Sequence, residues 1–104
     1  MIREISKIAA ERARSGRPYL EFLRVPSMSA GLYELAAGAE DRQSPHKEDE
    51  MYYVVSGRAN FLAGGEVTPV KPGSILFVPA GVEHRFERIE EALRVLVVFA
   101  PAET

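Results

Sequence analysis

The first part of the chain places apolar residues at the spacing of a helix, within a segment that is otherwise rich in charge. The apolar positions are Ile2, Ile5, Ile8, Ala9 and Ala13. Gly16 and Pro18 follow as stop signals. We therefore predict a short amphipathic helix over residues 2–15, which packs its narrow apolar stripe against the rest of the protein or against a partner subunit.

From residue 19 onward the pattern changes to short runs rich in β-branched and aromatic residues, which glycine and proline separate. The predicted strands cover residues 19–24, 32–35, 51–55, 60–63, 66–68, 74–78, 84–89 and 93–99. Ser56-Gly57 is expected to end the third strand, and Gly64-Gly65 is a two-residue hairpin signal. Many short strands at regular spacing predict an all-β sandwich or barrel.

Composition narrows the class of protein further. A chain of 104 residues forms one domain with a single core. Its net charge of -2 gives no reason to expect nucleic-acid binding, and no apolar run reaches the length that spans a membrane. The charged N-terminal segment does not resemble a signal peptide, and the lack of cysteine excludes disulfides and thiolate metal sites. We expect a cytoplasmic protein whose partner is a small molecule.

The candidate chemistry lies on two rows of side chains. Residues of equal parity share one face of a strand, so Ser44, His46, Glu48 and Glu50 could point the same way if their segment is extended. A later strand carries the corresponding row of His84, Phe86 and Arg88. Two imidazoles and one carboxylate form a facial set of ligands that suits Fe(II), and manganese, nickel, copper or zinc would also accept these atoms.

The same stretch resembles the cupin superfamily, whose motifs are G-x5-H-x-H-x3/4-E-x6-G and G-x5-P-x-G-x2-H-x3-N. The matching positions here are Gly38, Ser44, His46, Glu50 and Gly57, followed by Gly73, Pro79, Gly81, His84 and Arg88. The resemblance implies a double-stranded β-helix, or jelly-roll barrel, over residues 19–100, after the helix at 2–15 and within a single domain of residues 1–104. It also implies that His46, Glu50 and His84 hold a divalent metal ion.

Two of the motif positions depart from the family pattern. Ser44 stands where the family supplies its first metal histidine, so either a water completes the site or Glu48 bends in to replace the missing ligand. Arg88 stands where the family has asparagine. A cavity-facing Arg88 would bind a carboxylate or phosphate of a ligand, whereas one at the end of a strand would face solvent. Tyr52, Phe77 and Phe86 are expected in the core or in the cavity, and core packing is favoured.

The resemblance leaves three functions open. The first is a metal-dependent enzyme, an oxygenase and hence an oxidoreductase, or an isomerase, that acts on a small polar metabolite. The second is a small-molecule-binding cupin with a degenerate or absent metal site and no turnover. The third is a structural or regulatory scaffold. Small cupins resemble one another in being homodimers, and residues 93–99, nearly all apolar, would give an edge that a partner could cover.

Overall fold

A computed structural model describes residues 1–104 as one N-terminal helix followed by six strands. The elements are α1 (Ile5–Ser15), β1 (Tyr19–Val25), β2 (Met28–Leu35), β3 (Asp49–Ala63), β4 (Glu66–Val70), β5 (Ile75–Val78) and β6 (His84–Ala100). All strand pairs are antiparallel, in the order β1-β2-β6-β3-β4, and β5 also pairs with β3. The predicted all-β fold with a short N-terminal helix is confirmed. The helix, of 11 residues, does not have the length and apolar character of a membrane span.

The helix is shorter than predicted because its first turn has little to stabilise it. It begins at Ile5 rather than at residue 2, and Ile2 is 91% exposed. Glu4 occupies the N-cap position but makes no side-chain hydrogen bond to the helix. Ile8 and Ala9 are buried against β1 and β2, so the apolar stripe packs against the sheet as expected. Gly16 ends the helix in the left-handed conformation, with φ of 72°.

Two long strands replace four of the predicted short ones, so the expected breaks are wrong. Strands β3 and β6 pair along almost their whole length, from Asp49 opposite Ala100 to Ala63 opposite His84. The register shifts several times between Val54 and Asn60, which marks bulges rather than strand ends. Gly57 has φ of 97° and allows close approach to β6, because a Cβ atom there would lie 2.3 Å from the carbonyl oxygen of Ala92.

The core lies on the inward faces of β2, β3, β5 and β6. In the second half of β6 the buried positions are Leu93, Val95, Val97 and Phe99, and they alternate with half-buried residues. Tyr52, Phe61 and Phe86 form a cluster of tilted and edge-to-face rings within this core. The prediction that Phe86 is a core residue is confirmed.

The exposed apolar surface lies elsewhere than expected. Strand β6 is paired with β2 on one side and with β3 on the other, so the expectation that residues 93–99 offer a free edge is wrong. The exposed large apolar side chains of β3 and β5 are instead Met51, Tyr53, Ile75 and Phe77. The assignment of Phe77 to the core or cavity is wrong, because Val78 takes the inward position and leaves Phe77 64% exposed.

Candidate metal centre

His46, Glu50 and His84 come together across the inside of the barrel rather than along one pair of strands. Glu50 lies near the start of β3 opposite Phe99, whereas His84 begins β6 opposite Ala63, near the far end of β3. His46 lies in the loop before β3, and its carbonyl oxygen accepts a hydrogen bond of 2.7 Å from the backbone of Gly81, in the turn before His84. The closure of the sheet therefore builds the cluster.

The separations within this cluster are close to those of atoms that share one ion. Glu50 Oε1 lies 2.9 Å from His84 Nε2 and 3.7 Å from His46 Nε2, and the potential ligand atoms all lie within 4.8 Å of one another. Two ligands about 2.1 Å from one ion, in octahedral or tetrahedral geometry, are about 3.0–3.4 Å apart. The three side chains could therefore hold a metal ion.

Both imidazole rings are oriented so that Nε2 faces the cluster. His84 Nδ1 lies 2.9 Å from the carbonyl oxygen of Val82, and His46 Nδ1 lies 3.4 Å from Glu103 Oε2. When His84 donates its Nδ1 proton to the Val82 carbonyl oxygen, the lone pair of its Nε2 is free for a metal, and the Nδ1-protonated tautomer of His46 has the same property.

Two atoms of the cluster are buried without a hydrogen-bond partner. Glu50 and His84 are each 2% exposed, and neither Glu50 Oε1 nor His84 Nε2 makes a hydrogen bond. The two atoms lie 2.9 Å apart, which is an ion-pair contact when His84 is protonated, but they do not form a hydrogen bond. An unsatisfied buried polar group costs about 1–3 kcal/mol, and a cation between these atoms would satisfy both. The residues present therefore fit a divalent metal ion.

The charges around His84 favour a cation at this position. Burial by itself lowers the pKa of His84, but the Glu50 carboxylate, the Val82 carbonyl and Asp41 raise it by more, so its pKa lies above the ordinary value. Burial, followed by the charge of Glu50, raises the pKa of Tyr52 well above its ordinary value. The His84 imidazole and the Tyr52 phenol therefore hold their protons more strongly than the same groups would in water.

The structure separates the other predicted site residues into different roles. Ser44 is exposed and does not join the cluster. Glu48, which precedes the start of β3 at Asp49, does not join the cluster either. Its Oε2 instead accepts hydrogen bonds from the backbone and hydroxyl of Thr104. Arg88 is exposed, with φ of 49°, in the bulge of β6, so the cavity-facing alternative is wrong. Tyr52 reaches the site as well as the core.

Three polar residues at the site could not be found from the sequence. Gln43 Oε1 lies 3.2 Å from His46 Nε2 and accepts a hydrogen bond from the hydroxyl of Tyr52. The buried Asp41 accepts a hydrogen bond from the amide of Gln43, and Glu103 lies beside His46. Gln43 and Asp41 fall inside the first motif, but at positions that the motif leaves free. Glu103 lies beyond the second motif.

A cavity of about 160 Å³ adjoins the cluster. It is lined by Tyr19, Tyr33, Gln43, His46, Glu50, Tyr52, Val97, Phe99 and Glu103. No lysine or arginine lines it, so a bound metal ion would be its source of positive charge. Burial raises the pKa of the phenols of Tyr19 and Tyr33 and of the carboxyl of Glu103.

Comparison with known protein families agrees with this geometry. The profile of a family described as "Cupin domain" matches residues 31–99. An uncharacterized protein of Streptomyces coelicolor is 54% identical over 100 residues, which cover 96% of this chain and 95% of that protein.

Solved structures share the fold at lower sequence identity. The protein TT1209 from Thermus thermophilus has a TM-score of 0.74 at 24% identity, and the match covers 97% of each chain. The DMSP lyase DddQ from Ruegeria pomeroyi has a TM-score of 0.71 at 22% identity, over 85% of this chain but only 49% of the lyase. Two further solved structures with this fold are also longer than this chain, and the matches cover 63% and 66% of their lengths. These similarities confirm the predicted jelly-roll barrel.

Proposed function

We propose that this chain, which belongs to the cupin family, binds one divalent metal ion through His46, Glu50 and His84 and presents that ion to a small polar molecule. The observation that carries the proposal is the buried pair of Glu50 Oε1 and His84 Nε2, 2.9 Å apart and without hydrogen-bond partners. When bound, the ion would supply Lewis-acid or redox chemistry. Iron, manganese, nickel, copper and zinc all accept this nitrogen and oxygen ligand set.

Elemental analysis tests the metal site directly. The protein would be purified without a histidine tag and without chelator, and its metal content measured beside Glu50→Gln and Glu48→Gln. These two carboxylates are buried and close in sequence, but only Glu50 belongs to the cluster. We expect nearly one metal ion per chain in the wild type and in Glu48→Gln, and loss of the metal in Glu50→Gln. Equal metal content in all three proteins, or none in the wild type after anaerobic reconstitution, would contradict the site.

The reaction that we propose is that of an oxygenase or an isomerase acting on a small polar metabolite. The cavity of about 160 Å³ is similar in volume to one that binds benzene, so it admits a small molecule or part of a larger one. Three side chains leave coordination positions of the ion free for such a molecule. The DMSP lyase among the structural neighbours is an enzyme with the same fold, which supports turnover here by analogy alone.

Binding without turnover is the second candidate, and the electrostatics of the cavity favour it. The pKa of the phenols of Tyr19, Tyr33 and Tyr52 is raised, so these groups stay protonated near neutral pH and cannot act as general bases. Among the residues that line the cavity, Glu103 is the one carboxylate beyond the proposed ligands, so it remains as the group that could accept a proton from a substrate.

A single screen separates these two candidates. Small polar compounds would be incubated with metal-loaded and metal-free protein and followed by NMR, both for line broadening and for conversion. A compound converted only by the loaded protein, and not by loaded Glu103→Gln, identifies an enzyme with Glu103 as its base. A compound that broadens but stays unchanged identifies a binding protein.

We further propose that two copies of the chain associate through the outer face of β3 and β5. Met51 pairs with Phe77, and Tyr53 pairs with Ile75, so four exposed apolar side chains form one continuous patch. Light scattering after size-exclusion chromatography would give the mass of the particle. We expect a dimer for the wild type and a monomer for Ile75→Lys. A monomeric wild type would contradict the proposal.

A further inference from the structure

Gln43 is placed as a metal ligand would be, although the first motif leaves its position free. Its side-chain oxygen lies 3.2 Å from His46 Nε2. This separation falls within the range of about 3.0–3.4 Å expected for two ligands of one ion. Gln43 also lines the cavity that His46 and Glu50 line.

The orientation of the Gln43 amide is fixed by the groups around it. Its Nε2 lies 2.8 Å from Asp41 Oδ2, and an ionised carboxylate can only accept hydrogen bonds. The amide nitrogen must therefore face Asp41, which leaves the amide oxygen directed at His46. The hydroxyl of Tyr52, 3.1 Å away, donates to the same oxygen.

Asp41 is in turn held rigidly from two further sides. It is 3% exposed, its Oδ2 accepts a hydrogen bond of 2.9 Å from the backbone of Phe86, and its Oδ1 accepts one of 2.7 Å from Tyr33. A buried carboxylate with these fixed donors is the kind of partner that orients a metal ligand from behind.

The His46 ring has an oxygen near each of its nitrogens. Its Nε2 lies 3.2 Å from Gln43 Oε1 and its Nδ1 lies 3.4 Å from Glu103 Oε2, and a neutral imidazole carries one proton, on one of the two nitrogens. With that proton on Nδ1, the lone pair of Nε2 faces the lone pairs of the amide oxygen. In that tautomer a cation bound between these two atoms would be held by the lone pairs of both.

We propose that Gln43 Oε1 is a fourth protein ligand of the ion, and that Asp41 is the positioning residue that directs it there. The inference rests on the proposed metal site and deepens it. Ser44, at the family's histidine position, is exposed, and the adjacent Gln43 takes over its role with a carbonyl oxygen. Two imidazoles and two oxygens shift the ligand set towards Fe(II) and Mn(II), since carbonyl and carboxylate oxygens suit harder ions.

Cobalt titration of the metal-free protein tests this assignment, because the visible spectrum of Co(II) reports its ligands. The variants are Gln43→Leu, which keeps the size of the side chain, and Asp41→Asn, which can present its own amide group to Gln43. Ser44→Ala, next in sequence and exposed, is the matched control. We expect both variants at positions 41 and 43 to bind Co(II) at least about tenfold more weakly and with an altered spectrum. The control should match the wild type.

The outcomes separate this inference from the proposal on which it rests. If wild-type protein binds no Co(II), the metal site itself is wrong and the fourth ligand falls with it. If wild type binds and Gln43→Leu keeps the same spectrum and affinity, three ligands suffice and only the role of Gln43 is overturned. If Gln43→Leu alters the spectrum but Asp41→Asn does not, Asp41 is not the positioning residue. Circular dichroism of each variant confirms that the barrel is folded.

Discussion

Glu50 and His84 meet inside the barrel although each is paired with a different part of the sheet. Their Oε1 and Nε2 atoms lie 2.9 Å apart, whereas the register places Glu50 opposite Phe99 and His84 opposite Ala63. The contact therefore depends on closure of the sheet rather than on neighbouring strands. Closure brings together two buried atoms that lack hydrogen-bond partners. An ion bound between them would link the start of β3 to the start of β6, which pairs with the far end of β3.

Metal binding should consequently stabilise the fold. Ligand at about 100 times its dissociation constant adds about 2.7 kcal/mol to the free energy of unfolding. For a domain of this size that corresponds to a rise in Tm of about 10 °C. Differential scanning fluorimetry with Mn(II) or Co(II), and then with excess chelator, would measure the rise and its reversal. Glu50→Gln should show no rise, whereas Glu48→Gln should respond as the wild type does.

Gly57 should be one of the least replaceable residues of the barrel. A Cβ atom there would lie 2.3 Å from the carbonyl oxygen of Ala92, and φ is 97°. We expect Gly57→Ala to reduce the free energy of unfolding by about 3 kcal/mol or more, since backbone atoms cannot move aside cheaply. Gly64→Ala is the matched control, because Gly64 also has positive φ but open space around it. Its loss should be about 1 kcal/mol. Equal losses in urea unfolding would contradict the steric explanation.

Arg88 should be a position where glycine stabilises the protein. Its φ of 49° in the bulge of β6 costs a residue with a side chain about 1–2 kcal/mol, and glycine adopts this region freely at an entropic cost of about 0.5–1 kcal/mol. Arg88→Gly should therefore raise the free energy of unfolding by about 0.5–1 kcal/mol. Arg85→Gly, exposed in the same strand but without positive φ, should lower it. A loss of stability in both variants would show that the backbone at residue 88 is not strained.

The sequence predicted the parts of the molecule that local patterns encode. The resemblance to the cupin motifs brought His46, Glu50 and His84 forward together, and Gly64-Gly65 does turn β3 into β4. The merging of short strands could not be predicted, because a glycine such as Gly57 in a strand pattern indicates a bulge as well as a strand end.

Polar contacts between distant segments were also hidden from the sequence. Asp41 accepts its backbone hydrogen bond from Phe86, 45 positions away, and Glu103 reaches His46 only because the C-terminal residues fold back over β2. Nothing in the loop around Gln43 indicates which neighbour will orient its amide group. Such contacts depend on closure of the barrel, which local periodicity does not encode.

The stability of the metal-free protein and that of the metal-loaded protein should respond to pH in opposite ways. Without metal, burial lowers the pKa of His84, but Glu50 and Val82 raise it by more, so that it exceeds the ordinary value. A histidine with a raised pKa in the folded state contributes stability that is fully present below its unfolded pKa and is lost as the pH rises through its folded pKa. The metal-free protein should therefore become less stable as the pH rises above about 6.5, the ordinary pKa of histidine.

With metal the sign reverses, because a ligating imidazole must be unprotonated and acid competes with the ion. The Tm of the loaded protein should rise over the same interval in which that of the chelator-treated protein falls. His84→Gln removes both the titrating group and the ligand. For this variant the plots of Tm against pH with metal and with chelator should therefore coincide, and neither should contain the contribution of His84 to the change of Tm with pH. Parallel curves for loaded and metal-free wild type would mean that proton and metal do not share His84, and the three-residue site would have to be abandoned.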